Sequence, residues 1–143
     1  MSAKLKLNNL EGGSLMRAIA YVRVSSEEQV QGTSLDSQVQ SCIDYANSQG
    51  IELRHEDIYR EEGFTATKLV RPKLSEMIKF SNRNKGKIQY CLIWKVSRLA
   101  RKSEHYHVIK ARLANNGIKV ISTTEPISDD PMGNMMESIL AAW

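Results

Sequence analysis

The stretch IQYCLIW at residues 88–94 is the most continuously apolar run in the chain. A strand with so little polar alternation has to be covered on both faces, which is the situation of a central strand in a parallel sheet. A second apolar run, AIAYVRV at 18–24, is rich in β-branched residues and stops abruptly at SSEEQVQGTS. It predicts another buried strand that feeds a polar loop.

The segments between these runs supply helices. Thr33 followed by Asp36 resembles a capping box, and Leu35, Val39, Cys42, Ile43 and Ala46 then recur at helical spacing until Gly50. Ile51 to Tyr59 predicts a second strand, REEGFTATKLVRP a long loop, and Leu74, Met77 and Ile78 the inner face of a second helix. KVSRLARK is the polar exit of the 88–94 strand. Residues 102–116 predict a helix with Ile109 and Leu113 inward, ended by Gly117, and 118–122 a further strand. The resulting β-α-β-α-β-α-β rhythm is that of an α/β domain in three layers with a mostly parallel central sheet. Ligands of such sheets collect at the carboxyl ends of the strands.

Residues 1–15 (MSAKLKLNNLEGGSL) read as a flexible leader or appended linker, and the domain as 16–131. At 132–143, Met132, Met135, Met136, Ile139, Leu140 and Trp143 form a helical stripe without a glycine stop or polar cap, the pattern of a helix cut in mid-course. The opposing reading is a terminal helix docked on the domain's own core.

The 143 residues carry 20 basic and 16 acidic side chains, a net charge of +4 that leans toward an anionic partner without establishing one. No stretch approaches the roughly 20 apolar residues of a membrane span, and the N-terminus lacks a signal-peptide core. Cys42 and Cys91 stand far apart in mainly apolar runs and read as core thiols of a cytoplasmic protein. His105 and His107, two apart on a helix, point different ways and read as surface residues, not a metal pair. Neither GxGxxG nor GxxxxGKS/T occurs, so the usual signs of a dinucleotide or ATP site are missing, and no cofactor or metal is expected.

The strand exits hold the chemistry. One carries Arg23 and Ser25, the other Arg98 and Arg101, with Arg71 in the loop region between. Guanidiniums gathered round a hydroxyl suit a phosphodiester, because arginine stays charged and its planar fork matches phosphate oxygens. Prepositioned arginines also stabilise the charge that builds on the non-bridging oxygens as serine attacks. Alone, a serine at a strand exit is usually a turn residue, and RLAR usually a solvated face. Together they say more.

YVRVSSEEQ (21–29) resembles the Y-x-R-V-S-x-x-x-Q signature of the resolvase/invertase serine recombinases, site-specific DNA recombination enzymes. The resemblance continues through SLDSQ (34–38), VRPKL (70–74), WKVSRLAR (94–101) and TEPISDDPMGNMMESILAAW (124–143), so it covers Met16 to Trp143. The Arg-Pro pair and the length of the 60–70 loop are more similar to large members, such as phage and transposon integrases. The resemblance implies a catalytic domain in which Ser25 attacks DNA to form a 5′-phosphoserine and release a 3′ hydroxyl, for integration, excision or transposition. It implies Arg23, Arg71, Arg98 and Arg101 as phosphate-binding and transition-state groups, and Gln29 and Gln38 as polar supports. Glu61 stands where the family usually has aspartate. It further implies cleavage by a homodimer, a synaptic homotetramer and subunit rotation, with 132–143 starting the interface helix and the DNA-reading domains absent. Such a piece is not expected to recombine DNA completely.

One position departs from the pattern: Ser97 replaces the aspartate of the usual Asp-Arg-Leu-x-Arg. A catalytically impaired DNA or protein association module is the alternative this leaves open. No histidine matches a catalytic family position, and the general base is unassigned.

Overall fold

A computed structural model of the chain describes residues 15–24, 34–62, 71–125 and 139. Among them, β1 (Arg17–Val24), α1 (Leu35–Gln49), β2 (Glu52–Glu62), α2 (Pro72–Arg83), β3 (Tyr90–Ile93), the single-turn α3 (Val96–Leu99), α4 (Ser103–Asn115) and β4 (Lys119–Ser122) follow one another. The four strands pair in parallel in the order β2-β1-β3-β4. The expected α/β architecture is present.

Topology decides which face each helix covers. The chain steps outward from β1 to β2 and then returns past β1 to β3 and on to β4, so its crossovers run in opposite directions. Right-handed connections then put α1 on one face and α2 and α4 on the other. The core is divided accordingly. Ala18, Ala20, Val22 and Val24 pack with Leu35, Val39, Cys42 and Ala46 of α1. Ile19 and Tyr21 pack with Met77 of α2 and with Tyr106 and Leu113 of α4. The period of two along β1 is thus read from both sides, as a central strand requires.

The helix boundaries have local causes. Ser34, in extended backbone, accepts from the Ser37 N–H at 3.1 Å, so it is the N-cap of α1; Thr33 lies outside the described residues. Gly50 ends α1 at φ 68°, the left-handed geometry that favours glycine. Pro72 occupies the first turn of α2, where its missing N–H costs nothing. Tyr106, not foreseen as a core residue, is fully buried with Leu113, whereas Ile109 is only partly so. His105 and His107 are half-buried, and the His107 ring meets Tyr106 edge-on at 5.3 Å.

Two strand ends differ from the sequence reading. β2 continues through Arg60-Glu61-Glu62, expected as loop, because these residues stay in register with Val22, Arg23 and Val24 and the buried Glu61 finds hydrogen-bond donors. β3 stops at Ile93 because the Trp94 carbonyl accepts from the Ser122 and Thr124 hydroxyls, at 3.0 and 2.5 Å, in place of a backbone donor. The polar exit after it contains α3. Cys42 and Cys91 are buried free thiols. No described helix is long and apolar enough to cross a membrane. Of the 132–143 stripe only Ile139 is described, helical and 49% exposed.

Candidate active site at the carboxyl ends of the strands

β1 and β3 lie side by side, with Tyr21 paired to Ile93, and their exits diverge where the strand order reverses. That crevice is where an open α/β sheet binds ligands. Arg23 reaches it from β1, on the same strand face as Ile19 and Tyr21. Arg98 reaches it from α3.

α3 organises the cluster through its backbone. Its turn closes with Arg98 N–H donating to the Lys95 carbonyl at 2.9 Å and Ala100 N–H to the Val96 carbonyl at 3.2 Å. The carbonyls of a helix's last turn lack intrahelical donors and attract cations. Arg23 supplies both a donor and a charge: its Nε donates to the Arg98 carbonyl at 3.1 Å and its Nη2 to the Ser97 carbonyl at 2.8 Å. Arg71, at the N-cap of α2, donates from Nη2 to the same Arg98 carbonyl at 3.3 Å. Three arginines from three separate stretches therefore meet at one turn. Arg101 is exposed, and its charge acts on Arg23 and Arg98.

Neutral and anionic groups hold these cations in place. Gln38 of α1 is fully buried and clasps Arg23 at the backbone, accepting from its N–H at 3.2 Å and donating to its carbonyl at 3.0 Å. Glu61 accepts from the Tyr21 hydroxyl at 2.9 Å and from the Lys73 and Leu74 N–H groups at 3.2 and 3.1 Å. It thus caps the start of α2 from a neighbouring strand. It reaches Arg71 through Tyr21, whose hydroxyl accepts from Arg71 Nε at 3.1 Å and whose ring lies 5.2 Å from the guanidinium carbon.

Burial and like charge set the electrostatics of the cluster. Arg23 and Arg98 are each only 8% exposed. Burial, reinforced mainly by Arg71, lowers Arg23 to about 10. Burial followed by Arg23 and Arg101 lowers Arg98 to about 10 as well. Each cation makes its neighbours harder to charge, and an anion seated among them would relieve all of them together. Burial pushes the Tyr21 hydroxyl well above its ordinary value, with Arg71 opposing and Glu61 adding to the shift.

Of the residues named from sequence, Arg23, Arg71, Arg98, Gln38 and Glu61 are joined by these contacts, and Arg101 by its charge. Ser25 and Gln29 lie outside the described residues; Val24, the chain neighbour of Ser25, ends β1. Sequence reasoning passed over Tyr21 and Trp94. The first shares a strand face with Arg23 by the period of two. The second lies with Arg98 at 5.2 Å and Lys95 at 4.8 Å from its ring centre.

The Resolvase, N terminal domain family model matches residues 18–143. A protein of Bacillus subtilis (strain 168) named "Putative DNA recombinase" is 32% identical over 123 residues, 85% of this chain and 23% of that protein. The "DNA-invertase" of Escherichia phage P1 is 30% identical over 125 residues, 87% of this chain and 58% of that protein. The chain therefore spans less than two thirds of either relative. Among solved structures, the N-terminal catalytic domain of TP901-1 integrase superposes with a TM-score of 0.68 at 29% identity, covering 88% of this chain and 92% of that one. A resolvase family site-specific recombinase from Streptococcus pneumoniae gives 0.70 at 22% identity, with 88% and 85% covered, a likeness of fold alone. The chain thus belongs to the resolvase N-terminal domain family, as a serine recombinase catalytic domain.

Proposed function

We propose that this domain cuts and rejoins DNA by transesterification at Ser25. The Ser25 Oγ attacks a backbone phosphorus, an O–P bond to serine forms, the bond to the 3′ oxygen breaks, and that oxygen leaves with a proton as a 3′ hydroxyl. Reversal by another 3′ hydroxyl rejoins the strand, so the phosphodiester energy is kept. The observation that carries this reading is the meeting of Arg23, Arg71 and Arg98 on the Ser97–Arg98 turn, at the end of the strand that leads into Ser25. Such donors stabilise charge on the non-bridging oxygens, and Arg101 adds to the field.

Gln38 and Glu61 serve as supports, one for the Arg23 backbone and the other for the start of α2, and Gln29 is assigned the same kind of role. The Ser97 carbonyl makes its contact whatever the side chain, which argues against an impaired association module. The substrate is duplex DNA. The working assembly is a dimer that joins a synaptic tetramer through the stripe at 132–143, and the loop length favours a large recombinase of the integrase or transposase type. The protein acts in the cytoplasm, where its DNA lies.

A nicked-duplex substrate of randomised sequence at low salt tests the chemistry. The chain should give a protein–DNA species that survives denaturant, and Ser25→Ala should give none. An adduct persisting in Ser25→Ala removes Ser25 from its role, and no adduct from the parent chain overturns the nucleophilic reading. With few phosphate contacts, DNA binding should be weak and salt-sensitive. Tight binding to one duplex sequence at physiological salt contradicts that expectation.

A further inference from the structure

The β4 exit is tied to the β3 exit by an unusual density of polar contacts. Thr123 N–H donates to the Ile93 carbonyl at 2.8 Å, continuing the ladder. The Ser122 and Thr124 hydroxyls both donate to the Trp94 carbonyl, and Ser122 Oγ in turn accepts from the Glu125 N–H at 3.1 Å. The Glu125 carboxylate then turns back and accepts from the Val96 N–H at 3.1 Å. That N–H opens α3, the turn that bears Arg98 and whose carbonyls hold Arg23 and Arg71. One carboxylate 29 residues away in sequence therefore fixes the start of the turn on which the arginine cluster is built.

We infer that Glu125, seated by Ser122 and Thr124, is a positioning residue that sets the orientation of α3 and hence of Arg98. Glu125 touches none of the arginines in the described contacts, and it acts through the Val96 N–H. A four-residue helix has too few internal bonds to hold its own direction, so its anchoring comes from outside. At the carboxyl end of α3 that anchoring is by Arg23 and Arg71, and at the amino end by Glu125. The inference rests on the reading of Arg98 as a phosphate-binding group. It adds that the segment leading into residues 126–143 has a mechanical hold on that group.

The test uses the 143-residue chain and two readouts. In amide hydrogen exchange and arginine side-chain NMR, Glu125→Ala should expose the Val96 N–H and broaden or shift the Arg98 Nε signal, while the Val120 amide of β4 stays protected. Glu125→Gln, which keeps an acceptor oxygen, should restore both signals. In adduct formation at saturating DNA, Glu125→Ala should slow the rate by about a hundredfold with little change in DNA affinity, as expected of a displaced catalytic group. Glu125→Gln should recover most of that loss. Unchanged Arg98 signals in Glu125→Ala overturn the inference, as does an unchanged adduct rate alongside a cleavage-dead Arg98→Ala. If the parent chain forms no adduct, the functional reading fails on its own and the NMR readout still decides the coupling.

Discussion

Arg23 grips the main chain of residue 97, not its side chain, with Nη2 lying 2.8 Å from the Ser97 carbonyl oxygen. A second bond from Nε to the Arg98 carbonyl makes the contact two-pronged. Ser97→Ala should therefore form adduct within about threefold of the parent, since no hydrogen bond of this pair is lost. Arg23→Lys should lose about a hundredfold, because a single ammonium cannot reproduce the planar fork. Rates from single-turnover gels decide it, and a collapse in Ser97→Ala would contradict the main-chain reading.

Tyr21→Phe removes one hydroxyl that serves two partners, Glu61 and Arg71. Glu61 is almost fully buried, so losing that donor should cost about 1–3 kcal/mol of stability. Thermal and urea unfolding should show the drop. Unchanged stability would mean that water takes the place of the hydroxyl.

Anion binding should be coupled to protons at high pH. Burial first, then the like charge of Arg71 and Arg101 on Arg23 and of Arg23 and Arg101 on Arg98, lowers both to about 10, so each releases its proton more readily than a free guanidinium. A bound phosphate favours their charged forms and raises both values, so binding near pH 10 takes protons up. Without an anion the sign for stability follows too. The folded form gives up these protons before the unfolded form does, so the penalty from charging them is full below about 10 and is relieved as pH rises through it. Calorimetry of inorganic phosphate binding in buffers of different ionisation enthalpy measures the uptake, and proton release at pH 10 would refute the arrangement.

Cys42 and Cys91 should ignore thiol reagents until the domain unfolds. Burial pushes Cys42 up to about 12 and raises Cys91 as well. Reaction with a chromogenic disulfide should follow the rate of global opening. Rapid labelling of the native chain would show that one thiol is accessible.

Much of this fold was legible in periodicity. β1 alternates between two covered faces, and the apolar runs at 18–24 and 88–94 became neighbouring strands. Where local polarity and tertiary pairing disagreed, the sequence misled: Arg60-Glu61-Glu62 looked like loop, yet register with β1 keeps it in the sheet. α3 was hard to see because four residues carry no helical period, and the side chains that contact its two ends, Glu125, Arg23 and Arg71, come from elsewhere in the chain. The arginines of the candidate site were readable as motif members. The carbonyl they share was not, since a backbone oxygen has no letter in the sequence. Tyr21 was missed because its aromatic ring read simply as core.

Glu61 joins the carboxyl end of β2 to the first turn of α2, accepting from the Lys73 and Leu74 N–H groups. A single buried side chain thus rivets the start of α2 to the sheet, and Arg71, one residue ahead of that helix, inherits a mounting that none of its own bonds supplies.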